Sequence, residues 1–417
     1  MSTEEETITF IYHHAELSLK GKNRSSFENV LTENIKHLFG QSGVKCIKIH
    51  KLTGRHFVTF AKADEAKAYE ISPKIFGIAN FGKCISVQRE IDPLKEKIIA
   101  NVKDILAKRK IESFKIETSR VDKRYPLKSP EINEKVGEAV HETLKIPVNL
   151  TKPDLTIKIE VLNDRFVFIT EKIQGAKGLP IRTSGNVICL LSGGFDSPVA
   201  SWLMMRRGCN ITYVHFHSSP FGEWKSSISK IRKIVIQLHS YGGPKKFYAV
   251  PIGELQRQIA TKAPSKLRIT LYRRLMMRIA KAIAAKNKCT ALATGDSLGQ
   301  VASQTIDSMT TIQSVIQPMI IMRPLIAFCK EEIMDKAKEI GTYDISILPG
   351  GDCCSHMLPK NVSTKPTFES ATEGEKNLDI DNMVQTALEA AQIIDIDDPW
   401  NEDDNEVGAA CPFSFQE

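Results

Sequence analysis

The stretch VICLLSGGFDSPVA at residues 187–200 decides the fold of the C-terminal half of this 417-residue chain. Its apolar run ends in a turn rich in serine and glycine, and a helical pattern follows. Gly193 and Gly194 let backbone amides crowd an anion, while Ser192 and Ser197 add hydroxyl donors beside the positive end of the helix dipole. The stretch therefore predicts a phosphate-binding turn between a strand and a helix. Because the Walker lysine is absent, it is not the usual P-loop.

Composition restricts the class of protein. The hydrophobic content of 42% suits ordinary cores, and no apolar run is long enough to cross a bilayer. The N-terminal MSTEEETITF lacks the basic and apolar regions of a secretory signal. The nine cysteines include no C-x-x-C pair. This argues against zinc and iron–sulfur sites and favours the reducing cytoplasm.

The net charge of +8 conceals an asymmetry along the chain. Residues 377–417 hold eleven Asp and Glu and no Lys or Arg, so residues 1–376 carry +19. A basic body of this kind favours a polyanionic partner, with nucleic acid the leading choice. Solvated surface lysines without a partner are the alternative.

Two small α+β domains are predicted before the phosphate-binding turn. Residues 1–71 have the strand and helix order of a ferredoxin-like domain, with the strands expected at 7–12, 44–50 and 55–60 and the helix at 26–39. Residues 72–175 form the second domain, with helices expected at 94–109 and 129–144 and strands at 113–118, 155–161 and 165–171. The glycines and proline within 172–185 predict a linker, placed at 176–186.

Residues 187–394 predict an α/β domain. Apolar strands alternate with helical patterns, which is typical of a doubly wound parallel sheet; the strands are expected at 187–191, 211–217, 246–252 and 290–294. Ligands of such sheets bind at the carboxyl ends of the strands, where the Gly-Gly turn lies. The acidic residues 395–417 are expected to be disordered.

A second polar stretch, TGDSLGQVASQ at 294–304, also follows an apolar strand. Gly295 permits close backbone approach, and Gln and Ser side chains can orient a ligand. By itself the stretch is an ordinary βα-loop, but on the same sheet edge as the first turn it is predicted to wall a nucleotide site. On the helix at 271–278, Arg273 can neutralise phosphate charge, whereas Arg274 and Arg278 are interpreted as surface arginines.

Two adjacent thiols, Cys353 and Cys354, follow the glycines of GGDCCS at 350–355. An accessible thiolate there can carry a persulfide sulfur, and a pair of inert cysteines is the alternative. A trans peptide holds neighbouring Cα atoms about 3.8 Å apart, below the usual disulfide range, so a disulfide partner has to come from elsewhere, such as Cys411. His215, at a strand end, either contacts the nucleotide or is a core histidine.

With these motifs the chain resembles the tRNA 4-thiouridine synthase (ThiI) family, in the form without a rhodanese domain. In that family a ferredoxin-like domain and a THUMP RNA-binding domain precede a PP-loop ATP pyrophosphatase domain. Besides the first turn, the matching segments are ELSLKGKNR (16–24), RVDKRYPLKSPEI (120–132), GLPIRTSG (178–185), VHFHSSPF (214–221), TGDSLGQVASQT (294–305) and GTYDISILPGGDCCS (341–355).

The resemblance implies an ATP-dependent sulfurtransferase that adenylates a tRNA uridine and replaces its 4-oxygen with persulfide sulfur. Of the two thiols, Cys354 fits the persulfide position better than Cys353, and Asp196 belongs to the pyrophosphate end. The implied ATP-binding set is Leu190, Leu191, Ser192, Gly193, Gly194, Asp196, Ser197, His215, Phe216, Arg273, Gly295 and Gln304. Mg²⁺ is expected with ATP, and neither zinc nor an iron–sulfur cluster.

The same resemblance names partners. These are tRNA, a cysteine desulfurase as sulfur donor and, in some relatives, a sulfur-carrier protein for thiamine thiazole synthesis. A cytoplasmic location follows, and a homodimer is left open. Candidate tRNA contacts are Lys20, Lys22, Arg24, Lys123 and Arg124, each of which could equally be a solvated surface charge.

Three departures separate the chain from the family pattern. Ala15 and Phe195 stand where Gly and Ile are usual, and neither removes a chemical group. Gly350-Gly351 replaces a bulkier, partly acidic pair and is expected to loosen the thiol loop. The alternative functions are an amidating synthetase with the same phosphate-binding turn and a non-catalytic RNA-binding protein.

Overall fold

The computed structural model describes residues 6–349 and 362–400, and it divides the chain into two compact units, Met1–Gly178 and Leu179–Glu417. The first unit contains β1 (Thr7–His14), α1 (Arg24–Gln41), β2 (Lys48–Leu52), β3 (Arg55–Ala61), α2 (Glu65–Ile71), β4 (Ile78–Gln88), α3 (Ile91–Leu106), β5 (Phe114–Arg120), α4 (Ser129–Leu144), β6 (Leu155–Val161), β7 (Arg165–Ile169) and β8 (Ile173–Gln174).

One sheet of eight strands joins the two predicted α+β domains. Its order is β2-β3-β1-β4-β7-β6-β5, and β8 pairs with β4. β4 pairs antiparallel with β1 and also with β7 and β8, so it belongs to both halves of the sheet. Sequence analysis did not predict β4, and it assigned β8 to a linker. Gly82 is required in β4, since a Cβ there would lie 2.3 Å from the carbonyl oxygen of Glu171.

Each half of this sheet has its own apolar core. α1 covers β1 and β3 with Leu31 and Phe39 beside Phe10 and Phe60. α3 and α4 cover β5 to β7, where LTIKIEV in β6 alternates strictly between buried and half-buried residues. Each such side chain contributes roughly 1.5–3 kcal/mol when fully buried, so the helices are fixed mainly by packing.

The second unit contains β9 (Asn186–Leu190), α5 (Asp196–Arg206), β10 (Asn210–His217), α6 (Trp224–His239), β11 (Lys246–Pro251), α7 (Gly253–Lys262), α8 (Arg268–Lys286), β12 (Ala291–Ala293), α9 (Ile306–Gln313), β13 (Ile320–Met322), α10 (Lys330–Glu339), α11 (Tyr343–Ser346), α12 (Phe368–Glu375), α13 (Ile380–Ala390) and β14 (Gln392–Asp395).

The strands of this unit form a sheet of order β13-β12-β9-β10-β11-β14. The first five strands are parallel, as expected for the four strands that the sequence predicts. The sequence analysis predicted neither β13 nor β14, which is an antiparallel edge strand. α7, α8 and α13 pack on the sheet around Ile188, Val214 and Val250. The chain runs from β9 outward to β11 and returns to the other side of β9 as β12, so the strand order reverses at β9. Ligands of doubly wound sheets bind at such a reversal.

Candidate nucleotide site

The turn after β9 is held closed by its two serines. The backbone N–H of Ser192 donates to Ser197 Oγ at 2.7 Å, and Ser197 Oγ donates to the carbonyl oxygen of Ser192 at 3.1 Å. The hydroxyl of Ser192 lies 3.0 Å from the same Oγ. Ser197, on the first turn of α5, therefore fixes the shape of the turn in this structure.

A cavity of about 300 Å³ opens beside this turn at the carboxyl ends of β9, β10 and β12. Every residue of the predicted ATP-binding set lines it except Gly194, which lies in the turn and accepts a hydrogen bond from Ser346 Oγ at 3.3 Å. Its volume is at the lower end of ligand pockets. The structure thus brings together side chains that are more than a hundred residues apart in sequence.

His215 and Phe216 form the wall contributed by β10. The Nδ1 of His215 lies 2.9 Å from the carbonyl oxygen of Leu191, and its Nε2 lies 3.1 Å from Ser227 Oγ. A carbonyl oxygen only accepts, so Nδ1 carries the proton and orients the ring along the turn. His215 is buried and also lines the cavity, so its position is compatible both with a core histidine and with a nucleotide contact.

Gly295 lets the opposite wall pack directly on the turn. A Cβ at this position would lie 2.7 Å from the backbone nitrogen of Ser197 and 2.8 Å from the carbonyl carbon of Asp196. Real Cβ atoms do not approach backbone so closely, so any larger residue would push the loop after β12 away from α5. The sequence analysis expected Gly295 to permit close backbone approach, and the backbone that it approaches is that of Asp196 and Ser197 in α5.

Asp296 is the centre of a buried charge cluster on this wall, and the sequence analysis did not select it. Its carboxylate accepts from Arg273 at 2.5 Å, Thr294 at 2.7 Å and Arg323 at 3.4 Å. Burial opposes its ionisation, but these partners outweigh burial and hold the pKa of Asp296 below its ordinary value. Its position directly after Gly295 in the quoted stretch was the available signal. Gln304 lies within 3.5 Å of the same carboxylate.

Asp196 is half-buried at the first position of α5 and lines the cavity. Burial raises its pKa, Gln300 and Lys330 oppose the rise, and the charge of Asp296 adds to it. A bound cation would relieve this cost. Among the described residues no cluster of three or more His, Cys, Asp or Glu is arranged to hold a metal ion.

The interpretation of Arg274 as a surface arginine is wrong. Its side chain is 2% exposed and pairs with both carboxylate oxygens of Glu375 at 2.8 and 2.9 Å. Arg278, which is partly exposed, pairs with the same carboxylate. The partner of both lies about a hundred residues away on α12, so helical periodicity in α8 could not reveal it.

The thiols Cys353 and Cys354, the expected role of Gly350-Gly351, and Cys411 lie outside the described residues. The chain before the thiols is anchored to α6 beside the turn, because Lys230 Nζ donates to the carbonyl oxygen of Leu348 at 2.7 Å. The chain after the thiols is held at Thr364, whose carbonyl oxygen accepts a hydrogen bond from Thr305 Oγ1 at 2.7 Å.

Phe195, one of the departures from the family pattern, also contacts this region. Its ring stacks on that of Tyr343 with centroids 5.2 Å apart. With the bond from Ser346 to Gly194, this contact attaches α11 to the turn.

In the basic segment 16–24 of the first unit, Glu16–Asn23 is 3₁₀ helical with a kink at Gly21, and Arg24 begins α1. Lys22 is exposed, and the ammonium of Lys20 lies 5.3 Å from the centre of the Phe27 ring. Arg24 donates to Glu28 at 2.9 Å. The exposed charge at Lys22 is therefore the most accessible of this group.

The second basic group follows β5. Lys123 and Arg124 are both exposed, and Arg124 donates to Asp122 at 2.9 Å. The side chain of Arg124 holds the pKa of Asp122 well below its ordinary value. Asp122 also accepts from Arg89 at 2.7 Å. An arginine shared with a carboxylate is less available for a phosphate than Lys123 is.

A glycine-rich phosphate turn without a Walker lysine, set at the strand reversal of a doubly wound sheet, defines a PP-loop domain of the ATP pyrophosphatase class. Family models match the chain in order: the ThiI ferredoxin-like domain at residues 9–82, the THUMP domain at 89–171 and "Thiamine biosynthesis protein (ThiI)" at 182–380. No rhodanese domain is among these matches.

Relatives that match most of the chain support the same family. The chain is 38% identical to a Brevibacillus brevis protein over 93% of its own length and 96% of the relative. It is 41% identical to one from Caldanaerobacter subterraneus over 90% and 98%. Both relatives bear the name "Probable tRNA sulfurtransferase".

A crystal structure of a 4-thiouridine synthetase–RNA complex with bound ATP superposes with a TM-score of 0.84 at 34% identity, covering 93% of this chain and 99% of that one. The chain therefore belongs to the ThiI family of tRNA sulfurtransferases. Among the described residues, no helix has the length and hydropathy needed to span a bilayer.

Proposed function

We propose that the cavity beside the Gly-Gly turn binds ATP and that the chain uses it to convert a tRNA uridine to 4-thiouridine. The observation that carries this proposal is the single cavity lined by all but one residue of the predicted ATP-binding set. The similarity to a 4-thiouridine synthetase complexed with RNA and ATP supports it.

In the first step, the uridine 4-oxygen attacks the α-phosphate and pyrophosphate leaves. The adenosine lies toward Leu190, Leu191 and Phe216, which are apolar, and the phosphates lie at residues 192–197. Backbone amides of the turn and the helix start then face the charge that develops on the leaving oxygens. Arg273 lines the cavity, and its guanidinium remains charged throughout.

The cavity suits a nucleotide-bound Mg²⁺ better than a protein-held metal. Mg²⁺ is usually held by one or two carboxylates together with substrate phosphates, and Asp196 is a half-buried carboxylate at the phosphate end whose pKa burial raises. Asp196 would hold the ion, which would offset negative charge on the phosphates.

In the second step, the terminal sulfur of a persulfide on Cys354 attacks the activated C4, the C4–O bond breaks and AMP leaves. A second thiol takes up the Cys354 sulfur as a disulfide when the persulfide S–S bond breaks, and the sulfur retained on C4 becomes the thiocarbonyl. The anchoring of Leu348 beside the turn supports a reacting thiol on this segment. Cys353 is five positions after Leu348, a separation that an extended chain spans with about 17 Å.

The first unit supplies the tRNA-binding surface, with Lys20, Lys22, Arg24, Lys123 and Arg124 as candidate phosphate contacts. Phosphate and shape contacts suffice for recognition of a folded RNA. A cysteine desulfurase loads the sulfur, in the cytoplasm. The family description, which names thiamine biosynthesis, supports extending the proposal to a sulfur-carrier protein for thiamine synthesis.

The test is pyrophosphate release measured with ATP and Mg²⁺, with and without unmodified tRNA, followed by mass spectrometry of the tRNA nucleosides. We expect release that depends on tRNA, and 4-thiouridine once a persulfide donor is added. Release that depends on a small carboxylic acid would favour an amidating synthetase. Absence of release would favour a non-catalytic RNA-binding protein.

A further inference from the structure

Lys230 on α6 is a buried lysine that lies against the phosphate-binding turn. Its residue exposure is 8%. A Cβ placed on Gly193 would lie 3.0 Å from Lys230 Cδ, 3.3 Å from Cε and 3.4 Å from Nζ. The lysine side chain therefore fills the space that any larger residue at position 193 would need, and its ammonium ends beside the turn.

The face of α6 that carries Lys230 also borders the cavity. Ser227 lies three residues earlier, so the two side chains share one helix face, and Ser227 lines the cavity and contacts His215. The ammonium donates to the carbonyl oxygen of Leu348 at 2.7 Å.

The charge of a triphosphate calls for a cation at this end. A helix start supplies about half an elementary charge, and Arg273 shares its guanidinium with Asp296 at 2.5 Å. A Walker P-loop meets the same demand with a lysine from its own sequence, which reaches the β- and γ-phosphates. SGGFDS contains no such lysine.

We propose that Lys230 supplies from α6 the phosphate-binding ammonium that this turn lacks. The inference rests on the proposed ATP site and adds a residue to it. Lys230 donates to an oxygen of the β- or γ-phosphate and stays with the pyrophosphate as it leaves. Gly193 is then required because a side chain there would separate the ammonium from the phosphates.

The test compares binding of ATP, pyrophosphate and adenosine by calorimetry in the unaltered chain and in Lys230→Gln, Lys230→Arg and Lys233→Gln. Glutamine retains a donor for Leu348 but removes the charge. Lys233 is an exposed lysine on the same helix and serves as the matched control. Thermal unfolding of each variant checks the fold.

We expect Lys230→Gln to weaken ATP and pyrophosphate binding by about 10- to 100-fold, the range for a lost charge-assisted hydrogen bond. Adenosine binding should stay within about twofold by the same reasoning, since adenosine has no phosphate. Lys230→Arg should recover part of the loss, and Lys233→Gln should match the unaltered chain.

Two results would overturn the inference. One is unchanged ATP affinity in Lys230→Gln. The other is an equal loss of ATP and adenosine binding, which would mean that the lysine only supports the pocket through Leu348. Failure of the unaltered chain to bind ATP would overturn the proposed function itself, and the inference with it.

Discussion

The two units of this chain bury polar groups in different ways. In the first unit, His14 and His56 are hydrogen-bonded at 2.7 Å and His56 continues to Thr32 at 2.9 Å. Burial lowers the pKa of His14 to about 4 and that of His56 to about 3, so the chain of rings is neutral at pH 7. The charges available to a polyanion lie at the surface.

In the second unit, buried carboxylates form ion pairs, and one of these pairs lies on the cavity wall. Asp296 joins Arg273 and Arg323 on the cavity wall, and Glu375 joins α12 to α8 through Arg274. Removing one partner of a buried pair leaves an uncompensated charge, which is costly. The first unit thus buries a neutral chain of histidine rings, whereas the cavity wall of the second unit holds paired charges.

The largest expected effect comes from replacing one thiol of the second unit. We expect Cys354→Ser to abolish 4-thiouridine formation while pyrophosphate release continues, because the serine cannot carry a persulfide. Nucleoside mass spectrometry and a pyrophosphate assay measure the two steps separately. If Cys353→Ser has this effect and Cys354→Ser does not, the thiols are assigned in the wrong order.

Asp196→Asn tests whether the cavity in the second unit performs the adenylation. Loss of the carboxylate at the phosphate end should lower tRNA-dependent pyrophosphate release by about 10²- to 10³-fold. The control is Asp381→Asn, an exposed aspartate on α13. Full activity in Asp196→Asn would remove the carboxylate from the mechanism.

The exposed lysines of the first unit should contribute to tRNA affinity but not to the catalytic steps. Lys22→Ala combined with Lys123→Ala should weaken tRNA binding by about 3- to 30-fold, and should reduce the slope of log K against log salt by about 0.9 for each lost phosphate contact. Filter binding at several salt concentrations measures both. Lys376→Ala, an exposed lysine of the second unit, is the control, and an equal effect there would refute the assignment of RNA binding to the first unit.

The smallest expected effect is a loss of stability in mild acid. His56 has a folded pKa of about 3 against an ordinary 6.5, so protons bind the unfolded state more tightly and stability falls as the pH drops below 6.5. Between pH 7 and 5 this costs the first unit about 2 kcal/mol from His56 alone, and His56→Gln should flatten the loss. Hydrogen exchange resolved by unit measures it.

In the second unit, burial lowers the pKa of His217 to about 3, so His217 destabilises this unit over the same pH range as His56 does in the first. The ion pair of Glu375 is lost only at lower pH. Burial opposes ionisation of Glu375, but Arg278 and Arg274 outweigh it and hold its pKa below the ordinary 4.5. The stabilisation is thus present above pH 4.5 and is lost as the pH falls through the folded value.

Local sequence predicted most of the residues that line the cavity, because the parts of the cavity wall directly follow strands. Parallel strands place such loops on one edge, so SGGFDS and TGDSLGQ meet without knowledge of the packing. Arg274 and Glu375 could not be paired from sequence, since their contact depends on how α12 docks on α8. β4 was missed because burial along IANFGKCISVQ does not alternate cleanly and Gly82 interrupts the pattern.

β4 also limits how this chain can be divided. A cut before Ile78 removes β4, one of the two strands that pair with β1. A cut after Gln88 leaves β4 without β7 and β8. Either cut creates a naked strand edge that invites aggregation. The ferredoxin-like and THUMP parts should therefore be exchanged between proteins, grafted or expressed only together, as one continuous piece of chain.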